Sequence, residues 1–255
     1  MQKNSPPYKI YRNFMIKTEK VNIVLFFAII TQVIYKMQSY NKIINQVAKA
    51  VLAPHGFFQQ GRSRIWLYDC GYFFIQIEFQ PSWLFGHGSY CNVGIGFLFD
   101  YTDGLNNVIA FNYGWKRIDD FIEYEGNEEE FRSNMTRMAT SALEYAKELM
   151  KFESLEYADM KLAELRRKRN DPDDVYDSAM VKFLLGDLKG GLNLLEEWKE
   201  SPLNTQPWFQ AWFDKVYPLF TSDNITKEDA VNNVEQAINR RRAYFSQKPS
   251  FKKMN

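Results

Sequence analysis

Apolar and polar positions alternate with a period of two across residues 56–100, GFFQQGRSRIWLYDCGYFFIQIEFQPSWLFGHGSYCNVGIGFLFD, which predicts strands. A first strand is expected over Arg62–Tyr68. It puts Arg62, Arg64, Trp66 and Tyr68 on one side and Ser63, Ile65 and Leu67 on the other. Asp69-Cys70-Gly71 reads as a hairpin turn, because Gly71 tolerates the positive φ of a short connection. The second strand, Tyr72–Gln80, sets Phe73, Ile75, Ile77 and Phe79 against Phe74, Gln76, Glu78 and Gln80. Pro81-Ser82 stops it, and a Gly86-His87-Gly88 loop follows. The third, Ser89–Asp100, sets Cys91, Val93, Ile95, Phe97 and Phe99 against Tyr90, Asn92, Gly94 and Gly96. Gly94 and Gly96 predict a groove on that face, or the close approach of another backbone or a ligand. After a turn-rich stretch, Asp100–Asn107, a fourth strand is expected over Val108–Tyr113.

Elsewhere the period is helical. Ile43, Ile44, Val47, Val51 and Leu52 mark a helix over Tyr40–Leu52, ended by Pro54 and Gly56. Glu128-Glu129-Glu130 suits a helix N-terminus, and apolar spacing carries that helix to about Met150. Further helices are expected over Leu155–Lys168, after Asp171-Pro172-Asp173, after Gly186-Asp187, over Trp208–Phe220, and from Thr226 to about Tyr244. The expected class is α+β: an N-terminal helix, an antiparallel sheet of about four strands, then about six helices. Residues 37–127 hold the first helix and the sheet, 128–247 the helical region packed on it, and 248–255 a disordered tail.

Residues 1–36 do not fit this scheme. Lys3, Lys9, Arg12, Lys17, Lys20 and Lys36 face Glu19 alone, and Val21–Ile30 is nearly all apolar. The run is shorter than the roughly 20 residues a spanning helix needs. Three readings stay open: an extension foreign to a fold that starts near Met37, a weak signal or anchor, or an extra helix.

Composition changes this picture little. Hydrophobic residues make up 45% and charged residues 25%, ordinary values for a globular chain. Aromatic residues reach 16%, many of them in the expected sheet. A net charge of +1 gives no global field toward nucleic acid or membrane. Cys70 and Cys91 do not make a disulfide framework, which points to a reducing, cytoplasmic setting.

The candidate binding surface is the polar side of the sheet: Arg62, Arg64, Trp66, Gln76, Glu78, Gln80, Tyr90 and Asn92. Two arginines beside an aromatic ring can hold a carboxylate or phosphate through forked hydrogen bonds. The plainer alternative is a structural ion pair between Arg62 or Arg64 and Glu78. His55 reads as a loop histidine. His55, His87, Cys70 and Cys91 lack the paired spacing of a zinc site, so no metal is expected. Asp100–Gly104 lacks the alternating acids of a calcium loop, and no cofactor motif is present. The basic runs Arg166–Arg169 and Arg240–Arg242 fall at helix ends, where cations complement the dipole, so nucleic-acid binding is not expected.

Gly56-Phe57, Gly61–Arg64, Glu78–Ser82, Gly88–Gly94 and Tyr113–Glu125, taken in order, resemble an uncharacterised bacterial domain family of unknown function, over about Tyr40–Glu200. The resemblance implies an α+β fold and supplies no catalytic residue. Ala179, Gly186-Asp187-Leu188, Leu195 and Trp198 are also similar to one degenerate tetratricopeptide-type hairpin, here read as packing. The functional expectation is a non-catalytic cytoplasmic protein that binds a protein partner, in keeping with an immunity or defence role. No membrane association is expected unless the residues before Met37 act as an anchor. The alternative is an enzyme or sensor for a small anionic or nucleotide-like ligand held by Arg62 and Arg64.

Overall fold

The computed structural model describes residues 40–82, 87–99, 111–169, 171–201 and 205–246. The expectations for residues 1–36, the tail from 248, and most of the stretch 100–112 lie outside the described residues. Residues 40–52 are helical (α1), and where α1 begins also lies outside them.

Among the described residues six strands form one antiparallel sheet, rather than about four. They are β1 (Phe58–Gln59), β2 (Ile65–Asp69), β3 (Phe73–Gln80), β4 (Gly88–Phe97), β5 (Tyr113–Arg117) and β6 (Ile122–Glu123). The order is β1-β2-β3-β4-β5, with β6 pairing the start of β4. Strands of two residues leave no periodic trace, so β1 and β6 were not legible. The expected first strand, Arg62–Tyr68, begins instead at Ile65. Its first residues belong to the turn after β1, where Ser63 donates its N–H to the Gln60 carbonyl at 3.0 Å. The hairpin at Asp69-Cys70-Gly71 is present. Gly71 has φ 92°, and Cys70 donates its N–H to the Phe73 carbonyl at 3.0 Å.

Six helices follow: α2 (Glu128–Leu149), α3 (Leu155–Arg169), α4 (Pro172–Leu184), α5 (Leu188–Lys199), α6 (Pro207–Val216) and α7 (Lys227–Ser246). Asn127, Asp171 and Asp187 cap α2, α4 and α5 by accepting a backbone N–H of the first turn. α2 packs on β4 and β3. Phe152, just beyond it, meets Phe73 and Tyr113 at centroid distances of 6.4 and 4.4 Å. α1 lies beside α2, joined by a hydrogen bond from Arg132 to Gln46 of 3.0 Å. α7 reaches the other face, where Phe245 meets Phe74 edge-on at 5.7 Å. One continuous core runs from α1 through the sheet to α7. Among the described residues no helix is long and apolar enough to cross a membrane.

Candidate binding surface

Cross-strand register decides which side chains share a face, because directly opposed residues in an antiparallel pair point the same way. Trp66 is opposite Ile77, and the Phe79 N–H to Arg64 carbonyl bond places Arg64 opposite Phe79. Arg64 and Trp66 therefore lie on the apolar side. Gln76, Glu78 and Gln80 lie on the other side with Asn92, opposite Glu78, and Tyr90, opposite Gln80. The single surface expected from alternation divides at β2. The sequence placed β2 on the wrong side because a turn, not a strand, carries Arg62 and Arg64.

Arg62 stands exposed in that turn. Arg64 is half-buried against α1: its guanidinium donates to the Asn41 side chain and to the Gly88 carbonyl (3.3 Å), and sits 5.3 Å from the Tyr40 ring centroid. Burial pulls its pKa below the ordinary arginine value, and Tyr40 partly offsets this. Glu78 forms no ion pair with either arginine; its cross-strand neighbours are Ile65 and Asn92. Trp66 is 3% exposed, inside the core.

The polar face is itself part covered. Gln76 is 1% exposed. Phe58 and Phe245 both meet Phe74, at 6.2 and 5.7 Å. The groove expected at Gly94 is filled, since a Cβ there would meet the Phe111 ring at 2.6 Å. Toward its end at Gln80 and Tyr90 the face is only half-buried, with Asn92 buried between them, 3% exposed.

There β5 supplies an arginine that the strand assignment had missed. Arg117 is opposite Asn92. Its Nε donates to Asn92 Oδ1 and its Nη2 to Gln80 Oε1, both at 3.3 Å. Asn92 in turn donates to Gln80 Oε1 at 2.9 Å, so the two amides form one bracket. The guanidinium carbon lies 4.1 Å from the Tyr90 centroid and 5.9 Å from that of Trp115. Phe121 packs against Tyr90, with ring centroids 5.0 Å apart. Trp115 is 55% exposed, a large ring open to solvent. A guanidinium has five N–H donors, and the bracket uses two, which leaves both outer nitrogens able to donate outward. The period-two pattern of Tyr113–Arg117 was the available signal; the expected fourth strand ended where β5 begins.

Two other places carry polar chemistry. A cleft of about 410 Å³ lies between Gly71, Tyr72, Leu155, Leu184 and the α7 side chains Glu235, Ile238, Asn239 and Arg242. Arg242 is committed there: Nε and Nη2 hold Asp69 at 3.0 and 2.5 Å, and Nη2 also reaches the Gly71 carbonyl. Cys70 and Cys91 have thiols pushed well up by burial, which keeps them protonated and unreactive. Compared with protein-family models, curated proteins and solved structures, the chain matches none of them.

Proposed function

We propose that this is a non-catalytic binding protein that engages a protein partner through the open end of its sheet. The observation that carries the reading is the Arg117 clamp, a cation held flat by Tyr90 and oriented by Asn92 and Gln80, next to an exposed Trp115. Arginine and tryptophan dominate binding energy when a surface holds them rigid, because little side-chain entropy remains to be lost. Two outward-facing nitrogens suit a carboxylate, and the flanking rings suit the apolar part of the residue that bears it. A small-anion site at Arg62 and Arg64 has less in its favour, since one stands in an exposed turn and the other is tied to α1.

Affinity capture from native cells, with wild-type protein and with Arg117→Ala and Trp115→Ala as baits, tests this. The expected result is a partner lost with both variants and kept by Arg166→Ala, which lies in α3. A partner retained equally by every bait would reject the surface. A rise in melting temperature with a phosphate compound, abolished by Arg64→Ala, would favour the small-anion reading instead.

A further inference from the structure

We infer that the partner adds an extended segment to the open edge of β5, and that this segment carries two consecutive carboxylates. The inference rests on the binding surface proposed above and specifies its ligand. β5 ends the strand order, so its outer side has no neighbour among the described strands. Ile118 donates its N–H to the Cys91 carbonyl at 2.9 Å, which makes Arg117 and Asn92 a non-hydrogen-bonded pair. The backbone N–H and C=O of Arg117 therefore point away from β4, toward solvent. Trp115, Lys116 and Arg117 are all exposed. Such an edge is a template for an incoming strand.

Charge selects the occupant. Lys116 and Arg117 are adjacent, so they project to opposite faces. Each is steadied by a ring rather than an acid: Lys116 Nζ lies 4.9 Å from the Tyr145 centroid, and the Arg117 guanidinium lies over Tyr90. Neither forms an ion pair among the described residues. Glu78, the acid on the Arg117 face, is two strands away, about 10 Å at normal strand spacing. An added strand meets both cations when two neighbouring residues are acidic, because neighbours on a strand also point to opposite faces. Acids with one residue between them would place both carboxylates on one face and leave one cation unmatched. The register shift in the β4–β5 pairing, between Val93 and Ile95, shortens the usable edge, so the charges carry much of the affinity. A second copy of β5 is a poor occupant, because it would bring Lys116 and Arg117 against themselves.

Two labelled ten-residue peptides of threonine and valine test this, one with two consecutive glutamates and one with the same glutamates separated by a single residue. Fluorescence anisotropy against the full chain should show the consecutive isomer binding about tenfold more tightly. Lys116→Ala and Arg117→Ala should each remove that preference, and N-methylation of alternate peptide amides should abolish binding. Equal binding of the isomers, no binding at millimolar peptide, or binding indifferent to N-methylation would each overturn strand addition. Sensitivity to Arg117→Ala with indifference to N-methylation would keep the Arg117 surface and reject the added strand. Sensitivity to N-methylation without sensitivity to Arg117→Ala would reject the surface itself.

Discussion

Gln76 has both polar atoms of its side chain buried without a hydrogen-bond partner, on the central strand of the sheet. Leaving a buried amide unsatisfied costs about 1–3 kcal/mol, and an apolar side chain of the same shape avoids that cost. Gln76→Met is therefore expected to raise the unfolding midpoint in chemical denaturation; a fall would show that the amide has a stabilising role. Arg117 is the opposite case. It is exposed, so Arg117→Ala should lower stability by only about 1 kcal/mol, for its lost hydrogen bonds to Asn92 and Gln80, while weakening partner binding. Thermal melts and binding isotherms on the same preparation check both halves. The contrast also explains why the site was only half legible in the sequence. Alternation identified Gln76, Glu78, Gln80, Tyr90 and Asn92 as sharing a face, but alternation cannot tell a turn from the start of a strand. Arg64 and Trp66 were assigned to the wrong side, and Arg117 lay one element past the expected edge.

At the scale of elements, the long periodic segments were the legible ones. The apolar spacing that carried the expected helix to about Met150 matches the residues buried in α2, from Phe131 to Leu149, since a 22-residue helix gives six turns over which the period repeats. β3 and β4 were also placed within about two residues at their starts. Helix ends with side-chain caps were readable for the same local reason. Thr226 and Asp229 form a reciprocal cap: Thr226 Oγ1 accepts the Asp229 N–H at 3.1 Å, and Asp229 accepts the Thr226 N–H at 3.1 Å. Tertiary approach was not readable. Gly190 and Gly191 look costly inside α5, yet a Cβ on Gly191 would collide with the Phe183 ring, itself stacked on Phe220 at 4.6 Å. Gly191→Ala should therefore destabilise by about 1–3 kcal/mol from overpacking, against a propensity gain of about 1 kcal/mol. A raised melting temperature would show that α4 and α5 do not meet this closely.

Over the whole molecule, the sheet and the helical region share one core, and buried charge links stability to pH. Asp174 is 2% exposed in the first turn of α4, and burial pushes its carboxyl up to about 6, with Arg169 pulling it back. In the unfolded chain it titrates near 3.9. Between these values the native state binds the proton more tightly than the unfolded state does. Its contribution is most favourable below about pH 4 and is lost as pH rises to about 6. Asp174→Asn should flatten that part of the stability curve, gaining about 1–3 kcal/mol relative to wild type between pH 4 and pH 7. Denaturant titrations at both values check it; parallel curves for the two proteins would assign the slope to other groups. The same core sets the limits of the binding account. Helix α2 packs on one face of the sheet, and Phe245 of α7 meets Phe74 on the other. Among the described residues of the polar face, Trp115 and Arg117 are the exposed ones of the proposed site. Hydrogen exchange of the full chain, with and without the peptide bearing consecutive glutamates, tests that directly. Slowed exchange confined to residues 113–118 and the adjoining part of β4 is the predicted result. Protection appearing instead around Gly71 and Arg242, or nowhere, would contradict it.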